Sequence, residues 1–258
     1  MKTISAIAHV VLLEMVRRKD FYVLFILTFL ITVLAGSVSF FNDDRIVRYL
    51  KEICLLLIWI STLVIAVTCA ARQFPAEQES RTIYPLLAKP VSRDQLILGK
   101  FAGCWVATLL ALFLFYFFLW ALSGLKNDPL SLLHYLQALV LHAAGMSIVI
   151  SFVLMGSFLF AAPSSNTTIS LIAAFGILML GRHLNKVALQ QPEPIQTIFY
   201  MGYYLLPHLE WFDIRALLIH NWEPAPWGIV LLAILYATAY SAIFLGAACV
   251  LFRKRRLA

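Results

Sequence analysis

Long uncharged apolar runs constrain this chain more than any other feature. A bilayer core of about 30 Å is crossed by roughly 20 apolar residues in a helix. Inside hydrocarbon each backbone polar group must be satisfied within the protein, and a helix does this within one segment. Six spans are predicted: 21–40, 52–71, 101–123, 135–162, 166–186 and 227–252. The fifth is the shortest in apolar content, since only Ile169–Gly181 is uncharged and Arg182 and Lys186 must reach toward headgroups. Of the 258 residues, 62% are hydrophobic and 13% charged, against about 25% charged in a soluble domain. The expected fold is therefore an all-α membrane protein with a single membrane domain over 1–258. The first run follows Arg17, Arg18 and Lys19 and has no small-residue cleavage pattern before its acidic turn, so it reads as a span rather than a cleaved signal.

The charges settle an expected orientation. Six spans put both termini on one side, together with 72–100. That side carries thirteen of the twenty Lys and Arg residues and five of the thirteen acids. The positive-inside rule then places both termini and the 72–100 loop in the cytoplasm of a bacterial-type inner or plasma membrane. The net charge of +7, with its closing "RKRR", reads as membrane anchoring and calls for no nucleic-acid partner. Residues 1–20 are too short and too polar to span, and fit an interfacial helix on the cytoplasmic leaflet. Cys54, Cys69, Cys104 and Cys249 lie in apolar runs and read as buried thiols.

Residues 187–226 are too oily for a plain loop. "TIFYMGYYLLPHLEWF" (Thr197–Phe212) is rich in the aromatics that favour membrane interfaces and is broken by Pro207. Two readings stay open: a re-entrant or interfacial hairpin on the outer face, with Tyr203, Pro207 and Trp211 at its turn, or a helical outer loop that only packs.

Several chemistries find no support. No Asp, Glu, Lys or Arg sits in the middle of a span, and ion-coupled carriers use such groups. His142 reads as a hydrogen-bonded packing residue. Ser147 lies five residues from His142 on one helix, which is not a triad arrangement; Gly145, Ser147, Ser151 and Gly156 read as a helix interface of small residues. The histidines are dispersed, with no metal-ligand spacing. "LILGKF" fails the phosphate-loop pattern at Asp94 and Phe101. No cofactor is expected in this chain.

The charged stretch "EQESRTIYPLLAKPVSRDQLILGK" (Glu77–Lys100) is the candidate site. Ser92 and Gln95 have capping-box spacing, and Asp94 puts negative charge at the positive end of the helix that follows. Pro85 and Pro90 punctuate the segment before it. On physical grounds it is either a lever that carries motion from a cytosolic partner into the membrane or a solvated loop.

"EQESRTIYPLLAKPVSRDQLILGKFAG" (Glu77–Gly103) resembles the loop between the second and third spans of ABC-2 type transporter permeases. "YYLLPHLEWFDIR" (Tyr203–Arg215) resembles the segment before the last span in the subgroup that contains the permease of the nitrous-oxide-reductase maturation transporter. The resemblance implies a type V ABC exporter fold, in which two permeases pair, as copies or paralogues, and each docks a separate ATPase subunit that binds ATP and magnesium. It implies that Glu77, Glu79, Arg81 and Thr82 face the ATPase. Lys89, Arg93 and Lys100 would fix the loop at the lipid surface or against the N-terminal helix, with Pro90, Ser92 and Gln95 shaping the turn and cap. Glu79 and Arg81 could instead form a surface pair of little worth. The function implied is an ATP-driven exporter. Its rivals are a permease that passes ATPase work to an extracytoplasmic partner without moving a solute, and an ATP-independent carrier or channel.

Overall fold

The computed structural model describes residues 2–17, 22–23, 26–31, 33, 45–75, 77, 92–125, 131–160, 162–190 and 192–254. Its helices are α1 (Lys2–Val16), α2 (Arg45–Arg72), α3 (Arg93–Leu125), α4 (Leu132–Leu159), α5 (Pro163–Ala188), α6 (Ile195–Leu205), α7 (Arg215–Ile219) and α8 (Trp227–Lys254). A 3-10 turn, Leu209–Phe212, joins α6 to α7. Among the described residues α2, α3, α4 and α8 are long and apolar enough to cross a membrane. The expected fifth span is helical throughout as α5. The expected first span falls mostly outside the described residues, and the positions described there are helical.

The long helices alternate in direction. Phe74 past the end of α2, Phe158 at the end of α4 and Phe252 at the end of α8 form one ring cluster, with centroids 4.6 to 5.7 Å apart. Arg93 at the start of α3 bonds the last carbonyls of α8. These ends therefore share one end of the bundle, called the clamp end below. At the far end Lys51 near the start of α2 donates to the Leu218 carbonyl and Asn221 Oδ1, and His134 of α4 meets the Trp222 carbonyl. Buried Gln137 of α4 both donates to and accepts from the Ala225 backbone, at 2.9 and 3.1 Å. This bond pair satisfies the chain where Pro224 and Pro226 leave few helical partners.

α4 is the most enclosed of the four apolar helices and α8 the least. Its small residues let neighbours come close, as their spacing predicts. A Cβ on Gly145 would lie 3.0 Å from the Phe212 side chain, and one on Gly156 would strike Asn166. Ser147 bonds Ser241 of α8 at 3.1 Å. Asn166, fully buried, donates to the Val153 carbonyl and to Ser157. His142 is fully buried too: its ring stacks on Trp59 at 4.0 Å and its Nδ1 lies 3.3 Å from the Tyr116 hydroxyl. It packs α2, α3 and α4 together. Cys54 and Cys104 are buried, Cys69 and Cys249 half-buried, and none of the four forms a disulfide.

Candidate functional site

The charged stretch begins and ends at the clamp end. The helix α3 starts with a reciprocal cap. The Gln95 amide donates to Ser92 Oγ and the Ser92 amide donates to Gln95 Oε1, both at 3.2 Å. Two otherwise orphaned donors are satisfied, as the spacing predicts. Asp94 adds more than dipole stabilisation, because its carboxylate pairs with Arg253 of α8.

Arg93 sits differently from the sequence expectation, and of the two settings expected for Lys100 the lipid surface is the one that does not hold. Arg93 turns toward α8 rather than lipid or α1: its guanidinium donates to the Phe252 and Arg253 carbonyls at 2.9 and 3.1 Å and lies over the Phe252 ring. Those carbonyls are the unpaired acceptors of a helix C-terminus, where positive charge is favoured. Lys100 is 1% exposed, so it does not lie at a lipid surface. Its ammonium pairs with Glu77 at 2.6 Å, donates to the Gln73 carbonyl and lies 4.5 Å from the Phe74 ring centre. The negative charge of Glu14 on α1 acts on the same ammonium. A buried ammonium is tolerable only when paired and hydrogen-bonded, and these partners supply both. Glu77, at 27% side-chain exposure, therefore turns inward to Lys100. Glu79, Arg81, Thr82, Lys89 and Pro90 lie outside the described residues.

Gly99 and Gly103 form a contact that the sequence reading missed. A Cβ on Gly99 would lie 2.8 Å from the Ile7 Cβ, and one on Gly103 would lie 2.7 Å from the Val11 Cβ. The four-residue spacing puts both glycines on one face of α3, and α1 settles directly onto that face. The signal was present in "GKFAG", where Gly–Lys drew attention as a possible phosphate loop. The two sides of the charged stretch are thus fastened to α1, α2, α3 and α8 at once.

The hairpin residues converge at the other site. Leu206 is extended and Pro207 ends α6, after which His208 is clamped. Its backbone N–H donates to the Tyr236 hydroxyl at 2.9 Å, and its ring sits against Tyr203 at 4.3 Å and Trp211 at 4.9 Å. Tyr203 and Trp211 are thus both brought against the His208 ring. Burial, and then the nearby Glu210 charge, push the Tyr203 phenol up from its ordinary value. His208 Nδ1 lies 3.1 Å from Glu210 Oε1, and Glu210 rests on the bare backbone of Gly181. Asp213 accepts two hydrogen bonds from the Arg215 guanidinium, each 2.8 Å, which hold that guanidinium above its ordinary value. Sequence reading singled out Tyr203, Pro207 and Trp211 but not Glu210, since a lone acid in an aromatic loop looks solvated until α5 closes over it. By contrast α6 has no buried residues, and Ile198, Met201 and Leu205 form an exposed apolar stripe at helical spacing.

No curated protein matches this chain. The model of the ABC-2 family transporter proteins matches residues 5–257, nearly the whole chain. Such a match takes in α1, the clamp, the hairpin and α8 in one unit, so the chain belongs to the ABC-2 transporter family and is a membrane permease subunit of an ABC transporter, partnered by an ABC ATPase subunit.

Proposed function

We propose that this permease is one half of an ATP-driven exporter, pairing with a second copy or a paralogue in the membrane. Both termini and the charged stretch face the cytoplasm, and α1 lies along that leaflet. ATP and magnesium bind the partner ATPase, whose closure displaces the segment holding Glu79, Arg81 and Thr82. The observation that carries this reading is the clamp. Glu77–Lys100, Arg93–Phe252 and Asp94–Arg253 fasten the two sides of that segment to helices that cross the membrane. Work done on the segment then reaches α2, α3 and α8 together and changes how the two permeases meet.

The run Tyr203–Arg215 supports a finer kinship with permeases of nitrous-oxide-reductase maturation. The exposed apolar stripe of α6 favours a second reading, in which the hairpin passes ATPase work to an extracytoplasmic partner and no solute moves.

The test is recovery of the ATPase with the permease from native membranes. Glu79→Ala with Arg81→Ala should lower recovery at least tenfold while leaving the thermal melt of the permease unchanged. Equal recovery from a folded double variant overturns the docking assignment. Glu77→Ala is a poor docking probe, because it also strips Lys100 of its partner. Reconstituted pairs that hydrolyse ATP without clearing any solute from vesicles favour the second reading over export.

A further inference from the structure

A groove of about 680 Å³ runs between α3 and α8, with α4 beneath it. Its shape follows from residue size. Ala144 and Ser147 of α4 and Ala237 and Ser241 of α8 are too small to fill the space between the helices. Leu98, Phe101 and Trp105 of α3 form one tall wall. On the opposite rim Gly246 is exposed, and nothing lies within 4 Å of a Cβ built on it. The polar groups of the groove find their partners inside the protein. Ser147 donates to the Ala144 carbonyl and shares a hydrogen bond with Ser241. Thr238 donates to the Ile234 carbonyl, and the Trp105 indole donates to the Ala143 carbonyl. What is left for an occupant is hydrocarbon surface.

Length, volume and charge select that occupant. The α8 positions along the groove run from Ile234 to Cys249, about 22 Å of helical rise, which covers the roughly 15 Å depth of hydrocarbon in one leaflet. At roughly 30 Å³ for a water-sized group, the space takes about twenty such groups, close to one acyl chain. Cys249 and Leu98 mark its clamp end. One helical turn beyond them, Arg253 of α8 and Asp94 of α3 pair across the mouth. Even so paired, the Arg253 side chain is 64% exposed, and Lys254 beside it is exposed too. Arg93 adds a third cation, held on the last carbonyls of α8. Three cations against one carboxylate leave the mouth positive, and basic residues at the end of a membrane helix attract anionic headgroups. The described residues of the expected first span lie elsewhere. Thr28 shares a hydrogen bond with Ser61 of α2, and Phe29 meets Phe118, on the side of α3 away from Leu98. We propose that this groove seats one acyl chain of an anionic phospholipid from the clamp-end leaflet, with its phosphate at Arg253 and Lys254. The lipid then braces α3 against α8 next to the Asp94–Arg253 pair. Calling that leaflet cytoplasmic rests on the proposed sidedness of the permease, whereas the binding itself does not.

The test uses the full chain in the nonionic detergent dodecyl maltoside and native mass spectrometry. The probes are palmitoyl-oleoyl phosphatidylglycerol, which is anionic, and the zwitterionic phosphatidylcholine with the same chains. Phosphatidylglycerol should bind about tenfold more tightly, given two exposed cations at the mouth. Gly246→Phe, which fills the groove from its open rim, should remove the tight adduct and leave the thermal melt unchanged. Arg253→Gln with Lys254→Gln should bring phosphatidylglycerol down to the level of phosphatidylcholine. Equal binding of the two lipids by the parent chain, or an unchanged phosphatidylglycerol adduct in Gly246→Phe, overturns the proposal. If Gly246→Phe does not fold, Ala242→Phe at the same rim decides in its place. A dimer that forms without lipid and is split by Gly246→Phe would give the groove to a second copy of the chain and overturn the lipid assignment. No ATPase is present in this assay, so loss of the exporter reading would leave its result untouched.

Discussion

At the residue scale the clearest energetic statement concerns Lys100. An exposed ion pair is worth little, but removing one partner of a buried pair leaves an uncompensated charge. Lys100 is 1% exposed, so Glu77→Ala should destabilise the permease by about 3 kcal/mol. Replacing the lysine as well, in Glu77→Ala with Lys100→Met, should restore most of that loss, because an apolar side chain then fills the site. Reversible unfolding in mixed micelles measures both. A cost near zero for the single variant would mean that Gln73 and Phe74 alone suffice to hold the ammonium. The residue types were legible in the sequence here, but the role of Glu77 was not. Its place in the charged stretch suggested a face toward the ATPase. The observed partner comes from α3, 23 positions later, across a segment whose path the sequence does not fix.

At the element scale the fold depends on close helix approaches. Gly99→Ala and Gly103→Ala should each displace α1 from α3 at a cost of about 1–3 kcal/mol, since the added methyl meets Ile7 or Val11 at under 3 Å. Gly124→Ala is the control: nothing lies within 4 Å of its Cβ, and helix propensity there favours alanine by up to about 1 kcal/mol. Thermal melts should separate the three. If Gly99→Ala and Gly124→Ala melt alike, α1 does not rest on α3 as described. The far end makes a second element-scale prediction. Gln137→Leu removes both bonds to the half-buried Ala225 backbone, at about 1 kcal/mol each. Hydrogen exchange at 222–226 should rise in that variant, and an unchanged rate would show that the prolines alone hold the turn. The long helices and the Ser92–Gln95 cap were readable because each depends on local spacing. The seat of α1 was not, because a pair of glycines four apart does not say which helix will come to them.

At the scale of the whole molecule the alternating helices and the basic residues make one joint prediction. Ser92→Cys and Trp222→Cys, introduced separately, should react with an impermeant maleimide from opposite faces of the membrane, Ser92→Cys from the cytoplasmic face. Labelling of both from one face would contradict the alternation, and labelling of both from the wrong faces would reverse the sidedness. The charged stretch and the turn around His208 then lie toward opposite ends of one bundle. Composition and run length were enough to determine that the chain is a helical membrane protein, since hydrocarbon leaves few other ways to satisfy a backbone. They also located the charged stretch and the broken aromatic hairpin, because both interrupt an otherwise apolar pattern. Only the tertiary structure decided which charges are buried and what each meets. Lys100 and Glu210 look alike in sequence, single charges beside apolar runs, yet the fold brings Glu77 to one and the His208 ring to the other. Burial and partner choice depend on segments far apart along the chain, and those distances close only when the helices pack.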